Sequence, residues 1–376
     1  MVKRFYFCVL VAGTLAAGLL APRTAHAEPS QFLFVGDLKT GTLLRYNADP
    51  GASFLTPYGL NGNLSDPAYI TGQGVTEGVH GTGNTLITSQ NLNGTWHISR
   101  FNRFTGAFVG YVSTKTFGGI GNLALTNDAT TVYVPDESGN TLYRIDVATG
   151  NVLSSTAMTG VHDVQIGADG FIYATAYKGG NGVRRYKADL SSYDQIVAPG
   201  ANGLDRPAGV VVSGNNLFVA QNSQTQPSSV YRYTLNGGNA ATYQTQVTSS
   251  LLSFSFGMEM GPDNNLYIAV PGSFIGAGGP NQVVKIDLTN GFSSSSPASV
   301  AIAYPGTTNS TTYTSASTNI IWPKYIKFSS NFAPANDPGA LNITAAPEPG
   351  SVSLLGVGFV GMVGMIARRK AKTASK

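Results

Sequence analysis

The chain has 376 residues, with 23 Lys and Arg against 19 Asp and Glu. Lys3, Arg4 and Arg23 at the start and Arg368, Arg369, Lys370, Lys372 and Lys376 at the end leave 15 basic and 19 acidic residues between them. The basic balance therefore belongs to the ends and gives no ground for nucleic-acid binding. The single cysteine, Cys8, leaves the rest of the chain without disulfides or thiolate metal ligands.

The N-terminal segment reads as a secretory signal over residues 1–27. Lys3 and Arg4 precede an apolar run from Phe5 to Ala21, and Ala25-His26-Ala27 supplies the small residues that a signal peptidase reads, with cleavage after Ala27. An exported protein is the expectation.

A repeat occupies the next 300 residues. FLFVGD (32–37), TLITSQ (85–90), TVYVPD (131–136), FIYATA (171–176), NLFVAQ (216–221) and NLYIAV (265–270) are short strands rich in β-branched and aromatic residues. Each precedes a second strand with a fixed basic position: Arg45, Arg100, Arg144, Arg185, Arg232 and Lys285. The spacings of 55, 44, 41, 47 and 53 residues are those of propeller blades rather than helical solenoids. A residue that recurs once per blade is read as packing or bonding to the next blade, not as an anion-binding ring.

An apolar piece with Asn, Asp or Gly turn chemistry lies before each strand pair, and a weaker fourth strand follows. The first unit lacks its opening strand, and WPKYIKFSS (322–330) has that character with no unit of its own. The expectation is all-β: a six-bladed β-propeller of four-stranded antiparallel blades over residues 28–330, closed by the C-terminal strand completing the first blade. Residues 288–320 leave room for a seventh blade, but their Ser, Thr, Asn and Gly content reads as an elaborated loop. The repeated Leu-Tyr-Val-Ala-like strand, with Pro-Ala-Gly-Val (207–210) before it, resembles the NHL-repeat family. It is also similar to the wider group of six-bladed propellers that includes gluconolactonases.

Residues 331–346 read as a linker. Then Pro347-Glu348-Pro349, an uncharged apolar run over 351–367, and Arg368-Arg369-Lys370 follow in order. The run is long enough for a short transmembrane helix, and the basic cluster places its far end in the cytoplasm. This three-part order over residues 347–376 resembles the PEP-CTERM sorting signal. The resemblance implies processing by an exosortase near Pro347-Glu348-Pro349, a host that makes exopolysaccharide, and a surface or extracellular location with a transient membrane anchor.

Propellers use the mouth of the central channel, where the inner strands begin. The candidates there are Glu77 and His80, Asn122, and His162 with Asp163. Glu77, Asn122 and Asp163 are oxygen ligands of the type that holds Ca²⁺ or Mg²⁺. The gluconolactonase resemblance implies an ion that polarises a lactone carbonyl. The positions at Ala208 and Phe256 bring no ligand, and Glu77 falls in the second blade rather than the first. No residue pairs with the histidines by spacing, and no Gly-x-Ser-x-Gly elbow is present. Tyr111, Tyr177, Tyr193 and Tyr243 lie in loops or outer strands, where flat rings suit a sugar platform.

Two functional readings follow. The first is a non-catalytic surface propeller that binds exopolysaccharide or an envelope protein, with no cofactor. The second is a lactonase or hydrolase that needs a divalent metal at the channel mouth.

Overall fold

A computed structural model describes residues 32–37, 42–47, 56–57, 76–82, 85–92, 94–102, 108–303 and 323–328, except 179–181, 223–227, 239 and 272–280. The expected signal (1–27), linker (331–346), sorting signal (347–376) and membrane run (351–367) lie outside these residues, with Ala27, Pro347, Glu348, Pro349, Arg368, Arg369 and Lys370. Among the described residues no helix is long and apolar enough to cross a membrane.

The fold is an all-β propeller of four-stranded antiparallel blades. Strands β1 (Phe32–Asp37), β2 (Thr42–Asn47) and β3 (Thr56–Pro57) open it. Five sheets then form from consecutive strands. The first holds β4 (Thr76–Thr82), β5 (Thr85–Leu92), β6 (Thr95–Asn102) and β7 (Phe108–Tyr111). The next holds β8 (Ala124–Leu125), β9 (Thr131–Asp136), β10 (Thr141–Asp146) and β11 (Val152–Ala157). The third comprises β12 (Val161–Ile166), β13 (Ile172–Ala176), β14 (Val183–Tyr186) and β15 (Tyr193–Val197). After it come β16 (Pro207–Ser213), β17 (Asn216–Gln221), β18 (Ser229–Thr234) and β19 (Thr242–Thr248). The last consecutive set is β20 (Met258–Met260), β21 (Leu266–Pro271), β22 (Asn281–Ile286) and β23 (Ala298–Ala303).

The remaining sheet is composite. Strand β24 (Pro323–Phe328) pairs antiparallel with β1, and the order is β24-β1-β2-β3. The C-terminal strand thus takes the inner place that the first unit lacks. Around the channel the inner strands adjoin in the order β24, β4, β8, β12, β16, β20 and back to β24. Strand β12 therefore stands across the channel from β24.

The apolar core lies between neighbouring sheets. Leu33, Val35, Ile326 and Phe328 pack against Tyr267, Ala269 and Val283 of the preceding sheet. Tyr173, Val183 and Ile196 meet Val210, Val219 and Tyr231 in the same way. Both faces of a middle strand are covered, so strands such as β9 and β21 are buried throughout and read as apolar runs rather than alternations.

Three of the repeated basic residues fasten neighbouring sheets to one another. Arg100 Nη2 donates to Val147 O of the following sheet. Arg185 Nη2 reaches Gly238 O at 3.1 Å, and Arg232 Nη1 reaches Phe292 O at 3.4 Å. Each acceptor lies beyond the third strand of the next sheet. Lys285 instead bonds Asp263 within its own sheet at 2.8 Å. At Arg100, Arg185 and Arg232 the once-per-blade position therefore serves bonding to the next blade.

Outer strands present free edges, and each of β7, β11, β15, β19 and β23 has a register irregularity against its neighbour. Such irregularities bend an edge and discourage pairing with another chain.

Closure by β24 is testable through its side chains. Ile326 is fully buried against the preceding sheet. Ile326→Ala removes that contact and leaves a cavity, and is expected to cost about 2–5 kcal/mol. Denaturant unfolding of the variant should show a correspondingly lower midpoint, whereas an unchanged midpoint contradicts a closing role for β24.

Candidate functional site

At one end of the channel the inner strands are bulged. The register slips between Glu77 and Val79, between Val161 and Val164, between Pro207 and Gly209, and between Pro323 and Tyr325. A bulge frees carbonyls and turns side chains out of the ladder. Crowding there is close: a Cβ added at Gly209 would lie 2.1 Å from Phe256 O, so only glycine fits.

His162 and Asp163 occupy the β12 bulge, and both are 1% exposed. His162 Nδ1 lies 3.0 Å from Ala208 O, which can only accept, so Nδ1 carries the proton. The other nitrogen, Nε2, then accepts from the Tyr325 hydroxyl at 3.1 Å. This bond joins β12 to the closing strand β24 across the channel. The rings of Tyr177, Phe256 and Tyr325 surround the imidazole, with centroids at 5.0, 5.5 and 5.7 Å. The channel mouth is filled by this aromatic plug.

Asp163 laces two inner strands together. Its Oδ2 accepts from Val210 N of β16 at 2.8 Å, and Gln165 Oε1 accepts from Val212 N at 2.7 Å two residues further in. The Asn122 amide comes near the same carboxyl and favours its charged form, yet Asp163 Oδ1 and Asn122 Oδ1 are buried without a hydrogen bond. Deeper in the channel a cavity of about 110 Å³ is lined by Asn122, Val164, Gln165, Val210, Glu259 and Lys327. Lys327 and Glu259 form an ion pair across it at 2.6 Å.

The structure thus brings Asn122, His162 and Asp163 to one place. Glu77 and His80 sit on β4, opposite Ser89 and Ile87 respectively; their side chains lie outside the described residues. Among the described residues no group of three His, Cys, Asp or Glu has the arrangement to hold a metal. The two unbonded oxygens of Asn122 and Asp163 are nevertheless the donor type that Ca²⁺ or Mg²⁺ takes, so this pair fits an ion in part.

No residue pairs with His162 by spacing; its partner Tyr325 lies 163 residues away in the chain. Arg206, Lys178 and Glu137, also at this end, escaped the sequence reading. Lys178 Nζ meets Glu137 Oε1 at 2.6 Å, and the Arg206 guanidinium lies 4.4 Å from the centre of the Tyr177 ring. No motif marks them, because they come from turns of different sheets. Of the surface aromatics, Tyr111 and Tyr193 are about half exposed, whereas Tyr177 is buried in the plug.

Comparison with solved structures shows the fold alone. A chain of the nidogen/laminin complex superposes with a TM-score of 0.57 at 12% identity, covering 80% of this chain and 99% of that one. A protein from Lactobacillus plantarum gives 0.52 at 11% identity, with 80% and 99% covered. A putative 6-phosphogluconolactonase from Bacteroides fragilis gives 0.50 at 12% identity, with 81% and 99% covered. No family model and no curated protein matches the sequence.

The two buried groups of the β12 bulge respond to pH in opposite senses. Burial lowers the His162 pKa from 6.5 to about 4. Its contribution to stability is present above pH 6.5 and is lost as pH falls through 4. Burial raises the Asp163 pKa from 3.8 to about 7. That contribution is present below pH 3.8 and is lost as pH rises through 7. Between pH 4 and 6.5 the two oppose each other. Asp163→Asn should therefore make melting temperature fall on acidification more steeply than in the unaltered protein, and His162→Gln should do the reverse. Thermal melts of the three proteins at pH 4–8 check this; parallel curves refute it.

Proposed function

We propose that the protein is an exported propeller, held at or released from the cell surface, that binds an exopolysaccharide or envelope protein without doing chemistry on it. The observation that carries this reading is the filled mouth. Both nitrogens of His162 and one oxygen of Asp163 are committed to joining inner strands, so the titratable groups a hydrolase of this fold would use are serving the architecture. The secretory signal ending at Ala27 and the PEP-CTERM-like segment around Pro347-Glu348-Pro349 support the location, with signal peptidase and an exosortase as processing partners. Propellers are suited to this work, since loops from every blade converge on a broad face. The neighbour solved in the nidogen/laminin complex comes from a protein assembly.

A second reading rests on a separate observation. Asn122 Oδ1 and Asp163 Oδ1 are buried acceptors without partners, and an ion bound by them with Glu77 would make a metal-dependent lactonase; the Bacteroides fragilis neighbour is named a putative 6-phosphogluconolactonase. The ion would act as a Lewis acid on the substrate carbonyl.

A melt with excess Ca²⁺ or Mg²⁺, repeated with EDTA, separates the readings. A ligand at about 100 times its Kd adds roughly 2.7 kcal/mol to the native state. The non-catalytic reading expects no shift with either ion and no change in Glu77→Gln. A rise in melting temperature that Glu77→Gln abolishes favours the metal enzyme instead.

A further inference from the structure

The apolar surface open to a partner is on the side wall of the ring. At the channel mouth the rings of Tyr177, Phe256 and Tyr325 are buried in the plug. Among the described residues the exposed large apolar side chains are Val109 and Tyr111 of β7, Val152 and Leu153 of β11, Tyr193 of β15 and Val300 of β23. All stand on outer strands, and all but Val300 on three consecutive sheets. Edges of this kind are commonly guarded by charge. Here β7, β11, β15, β19 and β23 hold a single charged residue, Asp194, and Arg185 pairs with it at 2.8 Å. The other polar residues of these strands are Ser, Thr, Gln and Tyr. Their register irregularities spoil them for strand addition, so the wall offers side chains rather than backbone.

One part of the wall is a built groove. Leu142 of β10 and Tyr186 of β14 belong to one apolar cluster between the β8–β11 and β12–β15 sheets. Ser154 and Thr156 pair with Arg144 and Leu142, and Tyr193 and Gln195 pair with Tyr186 and Arg184. Paired residues share a face of their sheet, so Ser154 and Thr156 stand on one side of the groove and Tyr193 and Gln195 on the other. Tyr193 is 48% exposed, yet its ring is held. The Tyr186 ring centre lies 5.3 Å away and the Arg184 guanidinium 4.4 Å. Arg184 is fixed in turn, donating from Nε to Gln195 Oε1 at 3.3 Å and from Nη1 across to Ala157 O of β11 at 3.4 Å. On the β11 side the Ser154 hydroxyl is buried without a hydrogen bond. An exposed ring that is already fixed loses little freedom on binding.

We infer that this groove binds a neutral, gluco-configured polysaccharide, one pyranose ring lying on Tyr193 with its hydroxyls toward Arg184 and the Ser154–Thr156 side. The inference rests on the surface-binding reading above and adds the place and the partner's chemistry. A pyranose with equatorial hydroxyls has two flat faces of C–H groups, and an exposed aromatic ring takes such a face out of water. Sugar hydroxyls donate and accept at once, as do those of Ser and Thr. The Arg184 charge is spent on the Tyr193 ring, and the outer strands bring no unpaired charge, so no ion pair selects the ligand.

The test uses the full chain with hydroxyethylcellulose as probe and polygalacturonate as the charged control. Saturable binding to hydroxyethylcellulose that persists in high salt is the expected result. Tyr193→Ala should weaken it about tenfold or more, while Tyr193→Phe, which keeps the ring, and Val300→Ser, in the sheet across the ring, leave it largely intact. Retention by Tyr193→Phe separates loss of the platform from misfolding. Absence of binding to hydroxyethylcellulose overturns the inference. Tighter binding to polygalacturonate, or loss in high salt, overturns the neutral class. Binding that ignores Tyr193→Ala overturns the groove. Sedimentation as an oligomer that Tyr193→Ala dissociates makes the groove a contact between copies and also overturns it. Absence of the protein from both cell surface and medium overturns the underlying surface reading, which the binding measurement does not touch.

Discussion

Everything in this propeller depends on closing a ring of sheets without a covalent link. With no cysteine beyond Cys8, the seam is held by the β24–β1 ladder and by the packing of Ile326 and Phe328 against the neighbouring sheet. The core is divided among the spaces between sheets, so an open seam would expose apolar surface on two of them at once. It would also leave a free inner edge. Closure therefore couples residues at opposite ends of the chain to the stability of every interface around the ring.

The channel mouth is where closure and candidate chemistry meet. Tyr325 belongs to the closing strand, and its hydroxyl bonds His162 on the strand across the channel. His162 thus acts as a cross-brace, and burial lowers its pKa. Asp163, beside it, ties β12 to β16. Buried polar groups of this kind specify a unique arrangement when they are satisfied and are costly when they are not. The unbonded side-chain oxygens of Asn122, Asp163, Ser89 and Asn222 are exceptions at this end.

The first and last described strands meet the same end of the ring, opposite the His162 plug. The parity of strands in each sheet is the reason: four strands bring each chain crossing back so that all inner strands run the same way.

The strands were legible in the sequence because they are local. NLYIAV and TVYVPD carry their β-branched and aromatic content within six residues, and the basic residue of the following strand recurs at a blade-like interval. The missing opening strand of the first unit and the unattached WPKYIKFSS segment even pointed to the seam. Counting from each strand pair also puts Asn122, His162 and Asp163 where the inner strands begin. What tertiary structure alone decided is the use of those groups. The partner of His162 lies 163 residues away, the Arg206–Tyr177 contact joins turns of different sheets, and the bulges that turn His162 inward depend on carbonyls of neighbouring inner strands. Local composition specifies which segments become strands, because backbone preference acts within a few residues. Contacts across a closed ring depend on where all the sheets come to rest together, and no local pattern encodes them.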